Sequence, residues 1–371
     1  MKDVIIMGGG LAGLVNSICL ANKGYNVLVI EKKEYPFHKV CGEYISNEVK
    51  PFLLSIGLNL SDLCPSEISR LRVTSPLGAE VNINLDLGGF GLSRYKLDHA
   101  LYELAISKGV SFLLKNQVED VTFRNNIFNV RLQDGSEHYA HLVVGSFGKR
   151  SNLDRQLNRK FFFKRSPYIG VKYHITTDFP SDLIALHNFK DGYCGISKVE
   201  DGKYCLCYLS SRSNLKDHGN IKEMEEKVLF RNKQIKYIFE NSDFLYNKPE
   251  VINEISFEKK EAVYDHLLFC GDAAGMISPL CGNGMAMAIH SAKILSELIS
   301  LHFVNSSLNR KLLEDQYSLK WNEMFSTRLF VGRQIQKLFG QDLLTELSLR
   351  MLNNVKPLSR QLIKMTHGEP F

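Results

Sequence analysis

Apolar residues follow two rhythms along this chain. Near the N-terminus they run unbroken: Val4 to Met7 reads as a strand buried on both faces, a glycine turn follows, and the apolar stretch continues to Ala21 as a helix stopped by Gly24. A second unbroken run ends at Glu31, again as a buried strand. Elsewhere the pattern alternates. Residues 68–92, ISRLRVTSPLGAEVNINLDLGGFGL, read as a hairpin turning at Leu77-Gly78. From about Pro167 to Phe257 the segments YIGVKYHITT, LIALHNF, YCGISKV and KYCLCYLS alternate apolar with polar. With turns at Asp191-Gly192 and Asp201-Gly202, they predict an antiparallel sheet. Near residue 270 a short strand leads into a glycine-rich turn, then a proline, then a Gly-Asn-Gly that opens a long alanine-rich helix. The tail from about Ser306 reads as helices with Trp321, Phe325 and Leu329 on one stripe, the pattern of a core-facing helix.

The first strand, turn and helix carry a nucleotide signature. Gly8, Gly10 and Gly13 fit GxGxxG, with Leu11 and Ala12 starting the helix. The first glycine permits the tight turn, the second lets the backbone approach a pyrophosphate, and the third allows close helix packing. The helix N-terminus offers free N–H groups and a positive dipole to a diphosphate. Glu31, followed by Lys32, stands where it accepts hydrogen bonds from an adenosine ribose. This motif alone does not separate NAD from FAD.

The second signature is CGDAAGMISPLCGNGMAMAIHSAKIL, residues 270–295. Together with the N-terminal motif and a central region, it resembles the p-hydroxybenzoate hydroxylase and geranylgeranyl reductase superfamily of FAD enzymes, whose GD motif is GDAxxxxxPxxGxG. The resemblance implies that Asp272 accepts from a ribityl hydroxyl, that Pro279 fixes the chain, and that Gly282, Asn283, Gly284 and Met285 lie along the isoalloxazine edge at a helix N-terminus. It also implies that Arg94, in LSRYKLDHALYELAISKGV, approaches the FAD phosphates, and that Val118, in QVEDV, meets adenine. YPFHKVCGEYISNEV is similar to the K-x-CGG segment of the reductase branch. Lys39, Cys41 and Gly42 match it, and Glu43 stands in place of the second glycine. In that branch the segment runs beside the flavin and its cysteine is linked to the reaction. Cys41 is therefore a candidate reactive thiol of low pKa, and Glu43 is either a general acid or an acceptor for FAD hydroxyls or backbone N–H groups. HLVVGSFGKRS departs from the Gly-Ala-Asp-Gly of many relatives. The turn survives and the carboxylate does not, which puts NADPH docking in the usual manner in doubt.

The implied fold is α/β: a Rossmann-like FAD-binding domain (1–67, 93–160 and 258–300) with an inserted antiparallel β-sheet substrate domain (68–92 and 161–257) and a helical C-terminal region (301–371). The implied activity is reduction of a double bond in a lipophilic, isoprenoid- or polyketide-like substrate, with NADPH or a donor protein supplying electrons. A monooxygenase and a non-catalytic flavin carrier are the alternatives. A halogenase's Trp-x-Trp-x-Ile-Pro segment is absent, since Trp321 is the one tryptophan.

Composition narrows little further. With 371 residues, 44% hydrophobic and 23% charged, the chain has a globular make-up. A net charge of +6, with basic residues scattered among acids, speaks against nucleic acid. Lys320, Arg328, Arg333 and Lys337 leave peripheral membrane contact open. Eight cysteines without metal-like spacing suggest a reduced, cytoplasmic protein with no metal. The apolar run from Val4 to Ala21 is not a signal peptide: Asp3 precedes it, three glycines interrupt it, and it lacks a small-residue cleavage site.

Overall fold

The computed structural model describes residues 1–164, 166–338, 341–354 and 368–371. Strands β1 (Lys2–Met7) and β2 (Val27–Glu31) are parallel neighbours joined by helix α1 (Leu11–Ala21). Residues 4–7 and 27–31 are buried, as strands covered on both faces must be. The chain then crosses to a second sheet through β3 (Tyr44–Ser46), α2 (Lys50–Ser55) and the hairpin of β4 (Ser66–Thr74) and β5 (Glu80–Gly91). It returns by α3 (Arg94–Ser107), β6 (Ser111–Leu114), and a meander of β7 (Val118–Arg124), β8 (Ile127–Leu132) and β9 (Glu137–Gly145). After α4 (Asn152–Gln156) comes the second sheet's main body: β10 (Tyr168–Thr176), β11 (Leu183–Phe189), β12 (Gly192–Lys198) and β13 (Tyr204–Ser211).

Three short helices follow, α5 (Arg212–His218), α6 (Ile221–Lys227) and α7 (Lys233–Glu240), then β14 (Asp243–Phe244) and β15 (Glu250–Ile255). The chain re-enters the first sheet with β16 (Val263–Tyr264) and β17 (Leu267–Phe269) and continues into α8 (Gly284–His302). A small hairpin, β18 (Phe303–Val304) and β19 (Ser307–Leu308), precedes α9 (Arg310–Leu338) and α10 (Asp342–Asn354). Among the described residues the first sheet runs β16-β17-β9-β1-β2-β6, with β8 and β7 continuing from β9; the second runs β14-β10-β13-β12-β11-β4-β5-β3, with β15 against β10.

The architecture is the α/β fold with an inserted sheet that the pattern implies, and it differs in three places. Residues 212–240, read within a sheet domain, hold α5 to α7. Ser211, Asn220 and Asn232 cap them, and Met224, Ile235 and Ile238 pack with Ile169 and Val171 on one face of the second sheet. Strand β3 and the first residues of β4 also pair in the second sheet, so the boundary drawn at 67/68 falls inside paired strands. The helical reading of 301–371 is interrupted by the β18–β19 hairpin, and its part at 355–367 lies outside the described residues. The stripe of Trp321, Phe325 and Leu329 is buried in the main core.

Candidate functional site

Everything at the phosphate end follows from the lack of side chains. A Cβ on Gly13 would lie 2.1 Å from the Gly8 carbonyl oxygen, and one on Gly8, at φ +105°, would lie 2.7 Å from Phe147 Cα. The turn thus packs directly on the Ser146–Phe147 backbone, and the N-terminus of α1 is left bare. Over that N-terminus stand two cations: a Cβ on Gly10 would lie 3.6 Å from Lys39 Nζ and 3.8 Å from Arg94 Nη2. Asp98 holds both, taking Lys39 at 3.0 Å and the Arg94 fork at 2.7 and 2.8 Å. Burial would raise the Asp98 carboxyl, but Arg94 and Lys39 outweigh it and keep it below the usual range. Two cations on one buried carboxylate leave a positive charge beside a helix N-terminus, which is the complement of a diphosphate. Sequence reasoning missed Asp98. Its signal was the i,i+4 spacing of Arg94 and Asp98 in RYKLD.

At the ribose end, Glu31 accepts from Gly9 N at 2.8 Å and Lys33 N at 3.0 Å, leaving a further lone pair on each oxygen. The Tyr35 hydroxyl donates to the Gly9 carbonyl at 2.5 Å, and its ring stacks on Tyr102 at 4.4 Å. Asn116 N donates to the Glu31 carbonyl at 3.2 Å, which brings the buried Val118 beside this end of the cradle. Lys32 is exposed.

The second cradle meets the first. A Cβ on Gly271 would lie 3.0 Å from Ala12 Cβ, and Asn16 Nδ2 donates to the Ala292 carbonyl at 3.1 Å, so α1 and α8 lie side by side. Burial pushes the Asp272 carboxyl up. Lys260, Arg94 and Lys149 oppose this through space, and no hydrogen bond reaches that carboxyl among the described residues. A partly buried acceptor in that state suits a hydroxyl donor. Pro279 is exposed, Gly282 turns at φ +64° against the Tyr44 ring, and Gly284 begins α8. Asn283 is buried and lies close to buried Glu48, a residue the sequence did not single out; Leu11, Ala12 and Met285 are buried.

Cys41 and Glu43 sit between the cradles and the second sheet. The Cys41 carbonyl accepts from Cys205 Sγ at 3.2 Å, and Ser197 Oγ donates to the Gly42 carbonyl at 3.3 Å. Burial raises the Cys41 thiol, so the low-pKa expectation is corrected: the group rests as a protonated thiol. Glu43, at φ +54°, occupies the left-handed conformation for which the second glycine of K-x-CGG is suited. Its carboxylate is fully buried and accepts from Lys172 Nζ at 2.5 Å, His174 Nε2 at 2.7 Å and Arg94 N at 2.8 Å. Burial would raise this carboxyl, but Lys172 and His174 hold it down at about 2. Glu43 therefore has no proton to give near neutrality, and the general-acid reading gives way to that of an acceptor for a backbone N–H and two side chains. Lys172 Nζ also donates to the Lys39 carbonyl at 3.1 Å, which ties the whole segment to β10. Donor atoms of Glu43, His174 and Cys205 lie within 4.8 Å of one another, but the Lys172 ammonium already occupies that carboxylate.

Two nucleotide cradles on one Rossmann-like sheet, facing a second sheet across a thiol-bearing loop, define a flavin-dependent oxidoreductase. The chain belongs to the FAD binding domain family, whose model matches residues 1–318. It is 24% identical over 349 residues to digeranylgeranylglycerophospholipid reductase 2 of Methanothermobacter thermautotrophicus, covering 91% of this chain and 87% of that one. Among solved structures, a geranylgeranyl bacteriochlorophyll reductase-like protein of Thermoplasma acidophilum shares the fold with a TM-score of 0.79 at 18% identity, covering 100% of this chain and 96% of that one. A flavin-dependent brominase shares it with a TM-score of 0.80 at 18% identity, covering 98% and 93%. The bare α1 N-terminus, the Lys39–Arg94 pair and the unsatisfied Asp272 carboxyl fit FAD.

Proposed function

We propose that this protein reduces a carbon–carbon double bond of a lipophilic, isoprenoid- or polyketide-type substrate, and that Cys41 donates the proton. Bound and reduced, FAD supplies the hydride. Gly8, Gly10, Gly13, Lys39 and Arg94 hold the diphosphate, Glu31 the ribose, Asp272 the ribityl chain, and the stretch from Pro279 to Met285 the ring edge. The hydride goes to one alkene carbon and the Cys41 proton to the other, leaving a thiolate that solvent reprotonates. The observation that carries this reading is the place of the K-x-C-G loop, which sets Cys41 between the two cradles and the second sheet, where burial raises the thiol. Lys172, close enough to Cys41 to interact with it, favours the thiolate once the proton has left. Glu43 is a positioning residue: it holds this loop against β10 and the start of α3. The named activity of the 24% identical archaeal relative supports the substrate class.

Electrons come from NADPH or a donor protein. The protein works in the cytoplasm and meets its substrate at a membrane surface. No described helix is long and apolar enough to cross a membrane, while Leu343, Leu344, Leu347 and Met351 are exposed along α10. Of the basic residues singled out on α9, Arg328 points inward, 3.8 Å from buried Glu48.

The test is anaerobic. The FAD-loaded protein is reduced with dithionite and mixed with a geranylgeranylated glycerophospholipid in detergent while absorbance is followed. Return of the oxidised spectrum without oxygen, with product two mass units heavier per bond, supports reduction, and Cys41→Ala should slow it about a hundredfold. Reoxidation by dioxygen alone, with product sixteen mass units heavier, would establish a monooxygenase instead.

A further inference from the structure

A cavity of about 940 Å³ opens where the loop after β9 meets β10, β15 and α5. It is separate from both cradles, and its charge is one-sided. Among the described residues, Arg150, Lys164, Arg212 and Lys216 line it against one carboxylate, Glu254. Two of these cations are already engaged: Arg150 Nε pairs with Glu254 at 2.9 Å, and Lys164 pairs with Glu258 at 2.6 Å. Arg212 and Lys216 lie one turn apart on α5, are exposed, and have no ion pair among the described residues. Aromatic surface lies beside them. The Arg150 guanidinium sits 3.9 Å over the Phe162 ring, Phe163 meets Phe162 edge-on at 5.7 Å, and Phe163 is 63% exposed.

Two charges of this lining are left without a counter-ion among the described residues. Arg212 and Lys216, like charges one turn apart on α5, repel one another, and the exposed Phe163 ring beside them gains by being covered. An anion with several oxygens matches the fork of Arg212 and the ammonium of Lys216, and a flat or apolar body matches Phe163. One residue links the cavity wall to the second cradle. Lys149 precedes Arg150, donates to the Asn253 carbonyl on the cavity wall, and acts on Asp272 through space.

We propose that this cavity binds a second, phosphorylated organic ligand in addition to FAD, through Arg212 and Lys216 on the phosphates and Phe163 on the body. Two sources share that chemistry: a nucleotide that delivers electrons, and the diphosphate end of a lipid.

The experiment uses FAD-saturated protein, so that the diphosphate cradle at Gly10 is filled, and isothermal titration with inorganic pyrophosphate, NADP⁺ and geranyl diphosphate. All three should bind, more weakly as salt rises. Arg212→Ala and Lys216→Ala, at exposed positions, should each weaken all three about tenfold or more while FAD content and the flavin spectrum stay unchanged. Phe163→Ala should weaken only the organic ligands. Tighter binding of NADP⁺ than of geranyl diphosphate assigns the site to a nucleotide, and the reverse order assigns it to a lipid. The proposal is overturned if none of the three binds at millimolar concentration, or if binding is indifferent to both α5 substitutions. Binding is read without turnover, so neither result bears on alkene reduction.

Discussion

Replacing Glu43 by glycine tests whether the buried triad of Glu43, Lys172 and His174 holds the loop that carries Cys41. The substitution removes the carboxylate that serves Lys172, His174 and Arg94 N at 2.5, 2.7 and 2.8 Å. Lys172 and His174 are 2% and 4% exposed, so water cannot replace the lost partner. Removing one member of a buried ion pair costs about 3–5 kcal/mol. Against this, glycine is at ease at φ +54°, which recovers about 1 kcal/mol. The net loss is about 2–4 kcal/mol, read as a lower urea midpoint of the FAD-loaded protein. The loop also anchors the first residue of α3, so FAD should bind more weakly as Arg94 loses its setting. Adding Lys172→Met removes the stranded ammonium and should restore about half of the lost stability or more. An E43G protein within about 1 kcal/mol of the parent would refute the reasoning, since an ion pair that matters cannot be lost so cheaply. So would a double variant less stable than E43G alone.

Three further outcomes are expected. Gly13→Ala places a methyl 2.1 Å from the Gly8 carbonyl oxygen and 2.6 Å from Ser146 Oγ, so the protein should purify colourless, with its FAD dissociation constant raised about tenfold or more by titration. Because burial raises the Cys41 thiol, iodoacetamide at pH 7 should label exposed Cys64 about tenfold faster than Cys41, counted by peptide mass; equal rates would remove the protonated thiol from the mechanism. Glu43 titrates at about 2 in the fold against an ordinary 4.5, so its stabilisation is complete above pH 4.5 and is lost as pH falls towards 2. That loss is about 3 kcal/mol by acid-dependent urea midpoints, and it should shrink in the E43G protein.

The parts of this molecule that could be read from the sequence are those fixed by the backbone. Gly8 and Gly13 announce a tight turn because no side chain fits there, and Gly10 keeps the α1 N-terminus open beneath Lys39 and Arg94, so that restriction is written in the residues themselves. The unbroken run at Val4–Met7 gives a strand because burial on two faces leaves a direct imprint, whereas YIGVKYHITT alternates although β10 is buried on both faces, its polar positions Lys172 and His174 being turned to Glu43. The three helices at 212–240 escaped because each is only seven or eight residues long, too short for its period to stand out. Their capping residues, Ser211, Asn220 and Asn232, were the available sign. The state of Cys41 was illegible for another reason: a thiol's pKa depends on what covers it, and that cover comes from β13, far along the chain.

Glu43 shows both limits in one residue. The sequence marks it as a substitution for glycine, and such a substitution carries backbone strain at φ +54° together with a charge to be buried. Neither cost identifies its remedy. That lies at Lys172 and His174, two positions apart on β10 and therefore on one face of the strand, where two polar groups would otherwise be a defect in an apolar surface. A carboxylate alone, or the Lys–His pair alone, would destabilise this fold; joined, they fasten the loop that carries Cys41 to the second sheet. A relative that keeps glycine at the position of Glu43 needs no such pair, so an apolar residue at the position of Lys172 should accompany glycine there.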